Sequence, residues 1–143
     1  MLRKTKSLLN LDVEKEEQPW LEKMQRLELE FLVLCKLDLE CLDRRFVFIQ
    51  KEGKPFRVRV IIYDKTPKHH KRTLVLTHGF IGSSLNWTWM IEPLAKLYRI
   101  VLFDNCSWGL NQRIETSCGL ESPLVAEEWL RDWIKQLFEC LTD

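Results

Sequence analysis

No apolar run in this chain reaches the length needed to span a bilayer, so the sequence predicts no membrane-crossing helix. It also lacks an excess of charge. The 22 basic residues face 21 acidic ones and the net charge is +1, so no bulk field gathers nucleic acid or an anionic membrane. The metal-binding spacings are missing too. Cys35, Cys41, Cys106, Cys118 and Cys140 are scattered, none forms a CxxC, and no histidine stands at zinc-ligand distance from a cysteine pair. No metal and no cofactor is therefore expected. An odd number of isolated cysteines, in a chain whose basic start turns acidic at once and shows no signal-type apolar stretch or cleavage site, fits reduced thiols in the cytoplasm. Most of these thiols would then serve as small buried apolar groups. There is no internal repeat and no low-complexity tract. What remains is an ordinary globular composition over 143 residues, enough for one domain with a modest core.

The first nineteen residues are polar and end at Pro19. Trp20, Met24, Leu27, Phe31 and Leu34 then recur at helical spacing, and Pro19 suits the first turn. From Leu27 to Cys41 apolar residues also fall on every second position, the pattern of a strand. The helix formers Glu22, Lys23, Glu28 and Glu30 favour helix up to about Leu34. The apolar face of that helix is either a core surface, the simpler reading, or an interfacial membrane anchor.

Two strands follow. RFVFIQ (residues 45–50) and FRVRVIIY (56–63) are separated by KEGKP, a five-residue connection with Gly53 and Pro55 that fits a hairpin. The strict alternation in FRVRV assigns one face to solvent and the pair to the neighbourhood of a sheet edge. After the polar loop DKTPKHHKR, the pattern changes. TLVLT (73–77) and RIVLF (99–103) are apolar runs without alternation, as in parallel strands covered on both faces. Between them Trp87, Met90, Ile91, Leu94 and Leu97 fit a helix, with Ser83 or Ser84 as its cap and Pro93 as a kink or break. A final helix over residues 123–141 carries Val125, Trp129, Trp133 and Leu137 as a stripe, with Ile134 and Leu141 beside it. Strand, helix, strand, helix is the signature of an α/β fold.

The segment LVLTHGFIGSSLNW resembles the third strand and following loop of α/β-hydrolases, where the loop reads HG and then a hydrophobic residue. VLFDNCSWGLNQR resembles the fourth strand and its loop, usually FD-x-x-G-x-G-x-S-x-R. Asp104, Gly109 and Arg113 match, while Ser107 replaces the first glycine and Asn111 the serine. SPLVAEEWLRDWIKQL resembles the helix before the nucleophile strand. The pieces occur in the family's order and spacing. The last of them, together with Glu22-Lys23-Met24 ahead of the hairpin, is most similar to lipid-metabolism hydrolases that include the lipase co-activator of lipid droplets and its N-acyl-phospholipid lipase relative. The implied architecture is the N-terminal half of an α/β-hydrolase fold. It has an N-terminal segment with an amphipathic helix (residues 1–43), and then a partial domain (44–143) made of a hairpin and the βαβα of a mainly parallel sheet.

The resemblance also implies a site. An acyl-transfer hydrolase needs donors aimed at the oxygen that becomes negative in the tetrahedral intermediate. One is a backbone N–H in the loop after the third strand, by position that of Phe80; the other follows the nucleophile. Gly79 and Gly82 would let this loop turn, and His78 would support it by hydrogen bonding rather than act as base. A β-turn without catalytic purpose is the plainer reading of the same residues. Trp87, Trp89 and Trp108 would line a lipid pocket or belong to the core. No G-x-S-x-G or G-x-N-x-G occurs, so the nucleophile is absent. Cys106 and Ser107 do not follow strand–turn–helix geometry and are poor substitutes, and His69-His70 read as a solvated loop. None of the three histidines has an aspartate five positions on, so the HxxxxD spacing linked to acyl transfer in the subgroup is absent.

Three functions follow. The chain is an inactive half of a serine hydrolase for a lipid ester or amide. Or it is a non-catalytic relative, a binding protein or lipase co-activator that works through a protein partner and through contact of residues 20–34 with a membrane or lipid droplet. Or it is a small α/β binding module whose likeness is accidental. In the family the third strand is paired on both sides. Without the nucleophile strand it would leave an open apolar edge, so the chain alone is expected to be poorly soluble, partly disordered or dimeric.

Overall fold

A computed structural model describes residues 18–51, 53–65, 72–79, 82–105, 109–111 and 123–142, with the side chains of 18, 51, 54, 123–130 and 142 outside that description. The chain divides into two compact units, Met1–Lys36 and Leu37–Asp143.

The first unit contains helix α1, Gln18–Leu34. Pro19 costs nothing at its second position, where the backbone N–H would have no intrahelical partner. The helix ends as Cys35 N–H donates to Phe31 O (3.0 Å) and Lys36 N–H to Val33 O (2.9 Å). Lys36 takes a left-handed φ of 61°, which turns the chain out of the helix. Of the two competing periodicities over residues 27–41, helix holds up to Leu34.

The second unit is built on a four-stranded sheet with the order β1-β2-β4-β3. A 3₁₀ turn, Leu39–Cys41, is capped by Asp38, whose carboxylate accepts from Glu40 N–H at 3.0 Å. Strands β1 (Leu42–Lys51) and β2 (Lys54–Tyr63) form an antiparallel hairpin. Lys51 pairs with Lys54, so the connection is two residues and not five, and Gly53 supplies a left-handed φ of 74°. Lys54 and Pro55, expected in the loop, continue the ladder because the paired strands extend to the turn. Strand β2 pairs antiparallel with β4 (Tyr98–Phe103), and β4 pairs parallel with β3 (Arg72–Leu76). The fold is therefore α/β as expected. Its sheet is mixed rather than mainly parallel, because the hairpin joins β4 through its returning strand.

The two faces follow from the period of two along each strand. Val47, Ile49, Phe56, Val58, Val60, Ile62, Val101 and Phe103 share one face with Trp133, Leu137 and Leu141 of helix α3 (Pro123–Thr142). The rings of Phe103 and Trp133 meet edge to face with centroids 4.9 Å apart. This is the stripe read from the sequence, for the part of α3 whose side chains are described. On the opposite face lie Ile61, Tyr63, Ile100 and Leu102, buried along with Ile91 and Ala95 of helix α2 (Thr88–Ala95).

Three details correct the sequence reading. Arg57 and Arg59, which the alternation assigns to solvent, are buried, with their guanidinium groups 5.2 and 4.8 Å from the ring centre of Phe46; a planar cation packs on an aromatic face instead of pointing to water. Pro93 lies inside α2, which continues past it to Ala95 at the cost of the one intrahelical bond its missing N–H would make. The irregular turn comes earlier, as the 3₁₀ segment Ser84–Trp87. Finally, β3 is not covered on both faces: Arg72 and Thr73 are exposed and Leu74 to Leu76 half-buried, whereas β4 is buried from Ile100 onward. The difference is positional, since β4 has a strand on each side and β3 on one.

Candidate functional site

The segments singled out by chemistry meet at the carboxyl ends of β3 and β4, the place where ligand sites form in parallel α/β sheets. His78 follows β3 and Asp104 follows β4, both buried. The two loops are tied to each other. The backbone N–H of Asn105 donates to Nε2 of His78 at 2.9 Å, and Nδ2 of Asn105 donates to the carbonyl of His78 at 2.8 Å. Because a backbone N–H can only donate, Nε2 is the acceptor and the proton sits on Nδ1, which donates to Gly79 O at 2.7 Å. The imidazole is thus held neutral in one tautomer, with both nitrogens engaged. Oδ1 of Asp104 lies 3.7 Å from Nε2. Thr77 Oγ1 donates to Asn105 Oδ1 (2.8 Å), and the indole N–H of Trp87 donates to Thr77 O (2.9 Å).

Asp104 also starts the next element. Ser83 occupies the cap position of the 3₁₀ segment with extended backbone (φ −145°, ψ 166°) but makes no side-chain cap bond. The N–H of Ser84, at the first position of the segment, instead goes to Asp104 Oδ1 at 2.6 Å. A carboxylate from the neighbouring loop makes a charge-assisted bond there, which a hydroxyl cannot match. The same carboxylate explains Gly109. This residue has φ 57°, and a methyl group on it would overlap the carboxyl group of Asp104.

In the sequence Asn111 is only a departure from the serine of the pattern that it resembles. It proves to be the clamp of this region. Buried, it accepts at Oδ1 from the N–H of Arg59 (2.6 Å) and donates from Nδ2 to Asp104 O (2.7 Å) and Asn105 O (3.0 Å). The β2–β4 ladder stops at Val60 and Phe103. One residue further, the Asn111 amide stands in for the missing strand contacts. The signal in the sequence was a side chain carrying both donor and acceptor in a loop that follows a strand.

The expected site residues stand as follows. Phe80 lies outside the described residues, as do Trp108, Cys106, Ser107, Arg113, His69 and His70. Gly79 has open space where a Cβ would be and no left-handed φ; its carbonyl holds the histidine. At Gly82 a Cβ would come within 3.0 Å of Asn86 Nδ2 and 3.4 Å of His78 Cβ, so the absence of a side chain there serves a close approach. Trp87 is half-buried and spends its N–H on the end of β3, while Trp89 is 74% exposed. With both nitrogens of His78 in use, neither is left to activate a cysteine or serine nucleophile. Among the described residues no group of acidic, cysteine or histidine side chains could hold a metal ion, and no helix is long and apolar enough to cross a membrane.

A second polar cluster sits on the α2 face. The hydroxyl of Tyr63 donates to Glu92 Oε1, and Lys65 pairs with Glu92 Oε2. The N–H of Asp38 donates to the Tyr63 oxygen at 3.2 Å. Burial opposes the charge on Glu92, but the bonds from Lys65 and Tyr63 outweigh it and hold the carboxyl below its usual range. Burial, and after it the bond to Glu92, push the Tyr63 phenol well up. Burial and the bond to Asp38 push the Cys41 thiol up, away from the reactive thiolate.

No family model matches the sequence, and no curated protein does. Solved structures similar to the chain include the haloalkane dehalogenase DatA of Agrobacterium tumefaciens C58, with TM-score 0.46 and 17% identity over 66% of this chain. They also include a probable hydrolytic enzyme of Pseudomonas aeruginosa PAO1, with TM-score 0.45 and 17% identity over 65% of this chain. The chain spans 29% and 30% of the lengths of these two proteins.

Proposed function

We propose that the chain is the N-terminal half of an α/β-hydrolase-like protein. In this reading the loop after β3 supplies half of an oxyanion hole, through the backbone N–H of Phe80. The observation that carries it is the tie between the two loops at the carboxyl ends of the parallel pair. His78, fixed as a neutral tautomer by Asn105, braces the His-Gly loop, and Asp104 caps the segment that follows that loop. A preorganised N–H lowers the barrier only if its loop does not have to reorganise as charge develops. Buried hydrogen bonds of this kind supply that rigidity.

In this reading the nucleophile is not among the described residues, and hydrolysis requires a strand–turn–helix elsewhere in the protein. A substrate with an acyl group, of the lipid ester or amide kind, suits a site bordered by Trp87. The test is the coding sequence that follows codon 143. An in-frame strand ending in G-x-S-x-G supports the hydrolase. G-x-N-x-G in the same place moves the reading to a non-catalytic relative, such as a lipase co-activator. The absence of both motifs from the next strand would overturn the proposal. A fluorophosphonate probe on the chain alone is expected to label nothing, and labelling would contradict the assignment of the nucleophile elsewhere.

A further inference from the structure

His78 and Asp104 are close but not bonded. Oδ1 of Asp104 lies 3.7 Å from Nε2 of His78, beyond hydrogen-bond distance, and both side chains are buried. Each is engaged elsewhere. Nε2 accepts the N–H of Asn105 at 2.9 Å while Nδ1 donates to Gly79 O at 2.7 Å, an arrangement open only to the neutral ring. Oδ1 accepts the N–H of Ser84 at 2.6 Å and so caps the 3₁₀ segment that leads into α2. The tie between the loops after β3 and β4 therefore depends on a nitrogen that a single proton would change from acceptor to donor.

We propose that His78 and Asp104 form a proton-operated switch that exchanges one bracing of the two loops for another. A proton taken up at Nε2 sets that nitrogen's new N–H against the N–H of Asn105, and two donors cannot make one bond. The Asn105 contact opens. The imidazolium then faces a carboxylate oxygen that has only to come about 1 Å nearer to form a charge-assisted bond. Burial drives the pairing, since a cation left without a partner in that place is costly. Oδ1 is also the oxygen that caps Ser84, so closing on His78 draws it away from the 3₁₀ segment. Acid thus releases two backbone donors together, at Asn105 and at Ser84. Among the described residues, Asp104 faces the ring with a charge; Gly79, Gly82 and Asn105, which also lie against it, carry none. The switch rests on these contacts alone. If the loop also serves as proposed above, its oxyanion donor is held in place only while His78 is neutral.

Nitrogen-15 NMR of the 143-residue chain, taken between about pH 8 and about pH 5, where histidine changes charge, tests the switch. At the upper end Nε2 of His78 should show the shift of an unprotonated ring nitrogen and Nδ1 that of a protonated one, the signals being assigned by their loss in His78→Gln. As His78 titrates, the amide signals of Asn105 and Ser84 should move with the same midpoint. The protection of Ser84 against hydrogen exchange, relative to an unfolded amide at the same pH, should fall about fivefold or more. In His78→Gln, which cannot take up the proton, both amides should be insensitive over this range. Asp104→Asn keeps an acceptor for Ser84 but no charge, and Ser84 should then no longer follow the titration. A His78 that stays neutral throughout, amide midpoints that differ from that of His78, or a response that persists in either folded variant would each overturn the proposal. The hydrolase reading is decided separately, by the sequence beyond codon 143.

Discussion

At Gly109 one missing methyl group decides how two loops fit. The residue sits at φ 57° directly over the Asp104 carboxylate, so Gly109→Ala would add left-handed strain of roughly 1–2 kcal/mol. It would also displace the carboxylate from Ser84. The expected loss is about 2–4 kcal/mol in urea denaturation; a variant within about 0.5 kcal/mol of the parent would contradict the packing described. Asn111 is the complementary case, a side chain whose value lies in its polar atoms. Asn111→Ala leaves the Arg59 N–H and the Asp104 carbonyl without this partner in a buried place. The cost should be about 2–3 kcal/mol, with hydrogen exchange at Arg59 accelerated ahead of the rest of β2. Unchanged protection at Arg59 would show that the clamp is not there. Gly109 could be read from the sequence as a family match. The purpose of Asn111 could not, because its partners stand six, seven and fifty-two positions away.

Between elements, the contact of α2 with β2 is partly electrostatic. Glu92 of α2 meets Tyr63 of β2 and Lys65 just beyond it. Its folded carboxyl titrates below the ordinary value, so the sign is that of a depressed acid. The stabilisation is present above the unfolded value of about 4.3 and is lost as pH falls through the lower folded value. Glu92→Gln should therefore be less stable than the parent at neutral pH, and the gap should narrow as the solution is taken below about pH 4. Chemical denaturation at pH 7 and in acid measures it, and a gap independent of pH would remove the ion pair from the account. At this scale the hydrophobic periods placed the helices and strands well. They failed where the partner of a residue mattered. The hairpin turn shrank to two residues because pairing continued to Lys51 and Lys54, and two arginines left the solvent for the ring of Phe46.

For the whole molecule, the β1 edge of the sheet is covered by α3. If α3 guards β1 through Gln136, then Gln136→Ala frees both hydrogen-bonding groups of Gln50 and opens this edge. Species larger than the parent protein should appear on light scattering, with helix content preserved. An unchanged mass distribution would show that charge alone protects β1.

By itself the sequence determined the local elements: helices from a period of three to four, strands from runs of branched and aromatic residues, and the two loops from His78-Gly79 and Asp104. These depend on near neighbours and on the side-chain period, which the chain carries in its own order. Only the tertiary structure decided the mixed pairing of the sheet, the neutral tautomer of His78 and the cap that Asp104 gives to Ser84. Each of those is a hydrogen bond between residues far apart along the chain, and a donor's choice among distant acceptors is fixed only when folding brings one of them within about three ångströms.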